Sequence, residues 1–494
     1  LTGFYAEFTG ETREYGEVLE EKRLLVIDSL FGSDLNRLTT LMLAVCERHR
    51  RYRDYTRQDI FQALREILAV FPVYRTYINA DTGWISDHDR RIVTAVIERS
   101  KKNAEVDPVL LDFLGDIFLL KITGEIESEL VMRFQQLTPP VMAKGAEDTA
   151  FYTYNRFIAF NEVGGDPSMF GIDAETFHLR MKEQLKTHPL TMLSTSTHDT
   201  KRSEDVRARL AVVSEIPQRW CESVRRWSAR AERYRQDGLP DRNTEYFLYQ
   251  TLVGAWPLEE DRLLSTMEKA SREAKTHTSW TEPDSRYEKA LQSFVSSVYS
   301  DPVLMDDLGS FVKVVECAGR INSLSQTLLK LTAPGVPDIY QGCELWDLSL
   351  VDPDNRRPVD YTLRRELLEK VRTMNEQEVL LDMDSGSPKL WLTHRALGLR
   401  RMMPEAFGEK ASYEPMEMYG PKSEFAFGFV RNDSVAVVVP RLVLQRGGSW
   451  GDTEAGELEG TWKNVFSERK HRGPRIRLGE VLERFPVVLM IKES

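Results

Sequence analysis

Apolar residues recur at helical spacing through the first part of the chain. Ile60, Phe61, Leu64, Ile67, Leu68 and Phe71 fall on one face of a helix with 3.6 residues per turn. Thr56-Arg-Gln-Asp59 opens that helix as a capping box with Asp in place of Glu, and Pro72 ends it. The charged run 47–53 (Glu-Arg-His-Arg-Arg-Tyr-Arg) reads as a solvated helix face. Residues 1–140 therefore predict a helical domain. Helical spacing returns over 204–320, punctuated by Pro217, Pro240 and Pro257. An amphipathic stretch from Arg320 to Lys330 leads toward a short apolar, β-branched run at 336–340, interrupted by Pro337. Another β-prone run, 193–197, precedes the second helical region. After about residue 405 the period changes to two. The runs 425–429, 434–440 and 485–491 read as strands, separated by turns at Arg431-Asn-Asp and Arg446-Gly-Gly. A small antiparallel β-domain over 405–494 is the expected close of an α/β chain.

Residues 194–205 read Ser-Thr-Ser-Thr-His-Asp-Thr-Lys-Arg-Ser-Glu-Asp. A strand leads in and a helix leads out. His198 and Asp199 are expected at the C-terminal end of a strand, where β/α barrels carry their chemistry. A carboxylate beside an imidazole, followed by Lys201 and Arg202, suits a hydroxyl-rich ligand whose reaction develops charge. The plainer alternative is a capped helix start, with Asp199 or Ser203 as N-cap. A second segment, 331–361, places Tyr340, Gln341, Glu344, Trp346, Asp347, Asp352 and Asp354 beyond a strand. Aromatic faces alternating with carboxylates and amides offer what a sugar ring needs, an apolar surface and hydrogen-bond partners. An acidic surface loop is the alternative there.

At these residues the chain resembles the α-amylase superfamily and, more narrowly, the maltooligosyl trehalose synthase family. The likeness extends to 143–156 (Ala-Lys-Gly-Ala-Glu-Asp-Thr-Ala-Phe-Tyr-Thr-Tyr-Asn-Arg) and 161–167 (Asn-Glu-Val-Gly-Gly-Asp-Pro). It also takes in 238–246, 277–280, 31–37 and 71–77. It covers most of residues 1–365 and thins after about residue 400. The resemblance implies the C-terminal part of a (β/α)8 barrel with large α-helical insertions and a small C-terminal antiparallel β-domain. On that reading 1–140 is an insertion and 141–203 carries the sixth to seventh strand region. Residues 204–320 are helical, and 321–404 hold the eighth strand and the helices after it.

The implied activity is an intramolecular transglycosylation. The reducing-end α-1,4 bond of a maltooligosaccharide is broken, and the released glucose is rejoined through an α,α-1,1 bond. The resemblance makes Asp199 the stabiliser of an oxocarbenium-like transition state. His198 would donate a hydrogen bond to a sugar hydroxyl, with Lys201 and Arg202 as donors near the neighbouring subsite. Lys144, Glu147, Tyr152 and Tyr154 are further candidates for substrate contact, with Gly145 permitting close backbone approach. Tyr340, Gln341, Trp346 and Asp347 complete the set. Residues 352–356 resemble a loop-ordering network, and His277, Trp280, Trp450 and Trp462 read as packing. The superfamily's nucleophile lies in a Gly-x-Arg-x-Asp stretch, which these 494 residues lack. The early Asp-x-x-x-Asn-His motif is also missing, and the chain starts at Leu1. The expectation is the C-terminal part of a longer enzyme, without nucleophile or general acid and inactive alone. An α-glucan hydrolase and a non-catalytic carbohydrate-binding fragment stand as alternatives.

Composition narrows the partners. Lys and Arg number 66 against 77 Asp and Glu, a net charge of −11, which argues against nucleic acid. Cys46, Cys221, Cys317 and Cys343 have no CxxC or His spacing, so no metal is expected and the thiols read as reduced. No apolar run approaches a membrane span. The remaining histidines (His49, His88, His178, His188, His394, His471) have no partner spacing. A cytoplasmic enzyme without cofactor is expected. Its partners are a maltooligosaccharide substrate and, by resemblance, a maltooligosyl trehalose trehalohydrolase acting in the same route.

Overall fold

A computed structural model describes residues 1–102 and 105–493. The chain is mixed α/β and divides into two compact units. One comprises Gly10–Asn155 and Lys269–Ser285, the other Leu1–Thr9, Arg156–Glu268 and Arg286–Ser494.

The first unit is helical, built on α1 (Tyr15–Leu30), α2 (Gly32–Arg48), α3 (Arg57–Ala69) and α4 (Glu125–Met142). The spacing read at 60–71 places Ile60, Leu64, Ile67 and Leu68 in one core with Leu35, Phe113, Leu130 and Phe134. The capping box at the start of α3 forms as expected. Asp59 N–H donates to Thr56 Oγ1 at 3.2 Å, and Thr56 N–H donates to Asp59 Oδ2 at 2.8 Å. Pro139 and Pro140 lie inside α4, where each lacks the N–H that an α-helix needs. Beyond them the chain widens into a π-helix, Ala143–Ala150. The stretch around Gly145 is therefore helical. Gly145 does serve close approach, but to a helix: a Cβ there would lie 2.6 Å from Arg23 Cγ and 3.0 Å from its Cα.

The second unit holds a two-stranded parallel pair, β1 (Met192–Leu193) and β2 (Val336–Pro337). Helix α5 (Glu204–Ala211) follows β1, and the 31-residue α6 (Pro302–Thr332) precedes β2. Both strands are shorter than the runs read at 193–197 and 336–340, since Pro337 has no N–H to extend the ladder. Asp338 N–H still donates to Leu193 O at 2.8 Å. Gly335, at φ +129°, makes the pairing possible: a Cβ there would sit 2.7 Å from Leu193 Cγ and 2.8 Å from Thr191 O.

Helix α7 (Ser387–Met402) leads to a six-stranded antiparallel sheet, the β-domain expected from the period-two pattern. Its spatial order is β3 (Tyr413–Pro415), β4 (Ala426–Arg431), β5 (Val435–Pro440), β8 (Val488–Glu493), β6 (Thr461–Asn464), β7 (Lys470–Arg472). Strand β5 is buried on both faces. Val435, Val437 and Val439 pack with Trp391, Leu328 and Phe429; Ala436 and Val438 pack with Trp450 and Trp462. Those two tryptophans are core, as expected.

Candidate active site: a clamped turn carrying Asp199

His198 and Asp199 form the tip of a turn beyond β1. His198 is exposed and Asp199 half-buried. Neither the imidazole nor the carboxylate has a hydrogen-bond or ion-pair partner among the described residues. The backbone around them is tied down. Asp199 N–H donates to Thr197 Oγ1 at 3.2 Å, and Thr200 Oγ1 donates to Thr197 O at 3.0 Å. Asn355 Nδ2 donates to His198 O at 3.1 Å and lies within 3.5 Å of the Thr197 and Thr200 carbonyls. Glu162 grips the outgoing leg: its carboxylate accepts Lys201 N–H at 2.8 Å, Arg202 N–H at 3.1 Å and Val163 N–H at 2.9 Å. Ser203 takes the N-cap position of α5, but its hydroxyl donates to Asp347 O instead of capping. Asp199 caps nothing.

The other candidates in this unit divide between the turn surface and the interior. Lys201 and Arg202 are both buried. The Arg202 guanidinium donates to Ile158 O at 3.2 Å and lies 5.2 Å from the Phe247 ring centroid. Asp347 is fully engaged. Its N–H donates to Asp205 Oδ2 at 2.6 Å, and its carboxylate accepts from Ser349 N–H at 3.0 Å and from Cys343 Sγ at 3.4 Å. Trp346 packs against the core and donates Nε1–H to Met383 O at 2.6 Å. Tyr340 is half-buried and donates to Asn355 O at 3.1 Å, so it touches the residue that clamps the turn. Gln341 is exposed, its amide without a partner among the described residues. The network expected at 352–356 is present: Arg262 clasps Asp354 at 2.8 and 2.9 Å, and Leu350 N–H donates to the same carboxylate at 2.7 Å. Burial raises the Asp354 pKa, but Arg262 outweighs it, and the carboxyl titrates below its ordinary value.

Lys144, Glu147, Tyr152 and Tyr154 belong to the helical unit. Lys144 is exposed and pairs with Asp148 at 2.6 Å, one helical turn on. Glu147 is buried and accepts the Tyr74 hydroxyl. Tyr152 and Tyr154 are buried, with the Tyr154 ring 5.6 Å from Tyr15.

Two residues outside the candidates for substrate contact touch the turn, Glu162 and Asn355, and a third, Lys389, meets the start of α5 behind it. Glu162 and Asn355 lie inside segments that carried the family resemblance. Lys389 carries no local signal. It is fully buried in α7, and its ammonium lies 2.7 Å from Glu204 Oε1 and 2.9 Å from Asp205 Oδ2.

The chain is thus a mixed α/β protein in which a parallel strand pair feeds a clamped turn, with a carboxylate and an imidazole at its tip that have no side-chain partner among the described residues. No family model matches the chain. Proteins of Mycobacterium tuberculosis strains CDC 1551 and H37Rv, described as maltooligosyl trehalose synthases, are 38% identical over 375 residues. That alignment covers 74% of this chain and 46% of each relative, so the chain spans about half the length of the curated relatives it matches. The structure of maltooligosyltrehalose synthase from Arthrobacter ramosus superposes with a TM-score of 0.86 at 33% identity. It covers all of this chain and 60% of that one. A hypothetical maltooligosyl trehalose synthase of Sulfolobus tokodaii gives 0.76 at 30% identity, over 99% of this chain and 59% of its own. The chain is a relative of the maltooligosyl trehalose synthase family.

Proposed function

We propose that this chain serves an isomerase that converts the reducing-end α-1,4 bond of maltooligosaccharides into an α,α-1,1 bond. The observation that carries the reading is the Asp199 carboxylate, without a partner among the described residues at the tip of a turn whose backbone is held from both sides. An anion so placed suits the positive charge that an oxocarbenium-like transition state develops on the sugar ring. His198, whose imidazole also has no partner among the described residues, would donate to a ring hydroxyl, with Tyr340 near the same turn and Gln341 next to it in the chain. Arg202, Trp346 and Asp347 face inward, and we assign them to holding the turn. Lys201, with its backbone N–H on Glu162, belongs with them. We read β1 and β2 as neighbouring strands of an α-amylase-type (β/α)8 barrel, which puts the turn at its C-terminal mouth. The nucleophile and general acid of such a reaction are not among the residues assigned here. A maltooligosyl trehalose trehalohydrolase would consume the product, and we place the reaction in the cytoplasm.

The test is incubation of maltopentaose with the enzyme carrying this chain. Loss of reducing ends with no change in substrate mass is expected. A gain of reducing ends would replace the reading with an α-glucan hydrolase. Binding with neither change would leave a carbohydrate-binding protein.

A further inference from the structure

Behind the turn lies a second polar cluster that the chemistry above does not touch. Glu204 and Asp205 open α5, Lys330 sits near the end of α6, and Lys389 comes from the first turn of α7. All four are buried, Glu204 and Lys389 completely. The Lys389 ammonium donates to Asp205 Oδ2 (2.9 Å) and Leu345 O (3.3 Å) and forms an ion pair with Glu204 Oε1 at 2.7 Å. Lys330 Nζ lies 3.3 Å from Glu204 Oε2 and 2.9 Å from Thr195 Oγ1. Two cations thus balance two anions. Other ionisable groups around the cluster are Arg209 on α5 and Cys343 and Asp347 on the loop after β2.

Stability does not explain such a cluster. Exchanging a buried ion pair for apolar side chains of similar volume is often neutral or favourable. Its connections explain it better. Glu204 accepts the Thr195 hydroxyl and donates its N–H to Ser196 Oγ at 2.9 Å. Both partners lie on the incoming leg of the turn. Asp205 accepts the Ser323 hydroxyl and, at 2.6 Å, Asp347 N–H. The Asp347 carbonyl in turn receives the Ser203 hydroxyl, on the outgoing leg. One ammonium therefore fixes both legs of the turn that ends in His198 and Asp199.

We propose that Lys389 is a positioning residue for this turn. It acts through Glu204 and Asp205, and without its charge the Asp199 carboxylate loses its fixed direction. The catalytic consequence rests on the function proposed above; the mechanical one does not, and the two are tested separately. In the chain itself, amide hydrogen exchange over residues 194–205 is expected to be at least about tenfold faster in Lys389→Met, because the openings that expose these amides become easier. Exchange equal to wild type would overturn the inference whatever the protein catalyses. In the active enzyme, Lys389→Met is expected to lower kcat about a hundredfold, the scale of a misplacement near 1 Å, with KM changed less than about threefold. It should also gain a rise of kcat with pH between about 6 and 9, because one of the two buried carboxylates now keeps its proton. A kcat within about threefold of wild type with an unchanged pH profile would overturn the inference too.

If Lys389→Met does not fold, the paired variant Lys389→Met/Glu204→Gln removes one cation with one anion and keeps the buried charge balanced. The pH limb should vanish there while exchange over 194–205 stays fast. Wild-type exchange in that variant would equally count against Lys389. A wild-type enzyme that leaves maltopentaose unchanged would sink the functional reading and leave the exchange result to decide this one.

Discussion

Asp199→Asn separates a carboxylate kept for a ligand from one kept for the fold. The side chain has no hydrogen bond or ion pair to lose among the described residues, and Asn preserves its size. Folding stability should change by no more than about 0.5 kcal/mol, the scale of a surface substitution. The melting temperature should move by about 1–2 °C at most. The reaction is expected to suffer far more. A unit charge about 4 Å from a carbocation contributes roughly 4 kcal/mol at the effective dielectric of a partly exposed site. Removing one preorganised electrostatic contact in other enzymes costs about 2.7–4 kcal/mol, which is a loss of roughly 10²–10³ in kcat. The assay follows loss of reducing ends from maltopentaose by the enzyme carrying this chain, beside thermal melts of the same preparations. A kcat within about threefold of wild type, under 1 kcal/mol, would refute the role of Asp199. A fall in melting temperature beyond about 5 °C would refute it differently, by showing that the carboxylate holds structure.

Two further outcomes follow from the packing and charge around the turn. Gly335→Ala places a Cβ 2.7 Å from Leu193 Cγ and 2.8 Å from Thr191 O at a φ of +129°, so the β1–β2 pair must open. A loss of about 2–4 kcal/mol is expected from the denaturant midpoint, and an unchanged midpoint would mean that the pair is not needed for stability. The second outcome concerns acid. Burial raises the Glu204 pKa, but Lys389 and Lys330 outweigh it and hold the carboxyl at about 2, below its usual 4.5. A depressed folded value stabilises above 4.5 and is lost as pH falls toward about 2, so the melting temperature should drop through that window more steeply in wild type than in Glu204→Gln. Parallel curves for the two proteins would exclude Glu204 as a source of acid lability.

Where local spacing decides structure, the sequence was legible. The apolar set at 60–71 needs only its own period to bury one face, the Phe425-Ala-Phe-Gly-Phe429 alternation that leads into β4 needs only the two-residue repeat of a pleat, and β5 needs only a short β-branched run. The His198–Asp199 turn was legible because a strand, a turn and a helix start follow one another in twelve residues. What escaped was set by distance in the chain. Lys389 meets Asp205 across 184 residues, and Asn355 meets His198 across 157. A lysine in a helix and an asparagine in a loop have no local pattern that says which backbone they hold. The inward direction of Arg202 and Asp347 escaped for the same reason: their partners, Ile158 and Asp205, lie in other segments. The π-helix at 143–150 escaped because the two prolines before it suggest an end to a helix more readily than a widening of one.

The three acids of segment 194–205 show why the free one needs the other two. A carboxylate meant for a transient cation cannot be paired in the resting protein, because a standing partner would compete with the transition state for it. An unpaired charge cannot be deeply buried either, since the desolvation would neutralise it. Asp199 stands at a turn tip, half-buried and without a partner among the described residues, which is compatible with both conditions. A turn tip is also where a backbone is least constrained, and a carboxylate free to swing returns little of its charge to the transition state. The constraint must then come from beneath. Glu204 and Asp205, five and six residues further on, are buried against Lys330 and Lys389, where strong pairing carries no catalytic penalty. Pairing below is what allows the carboxylate above to stay unpaired and still be aimed.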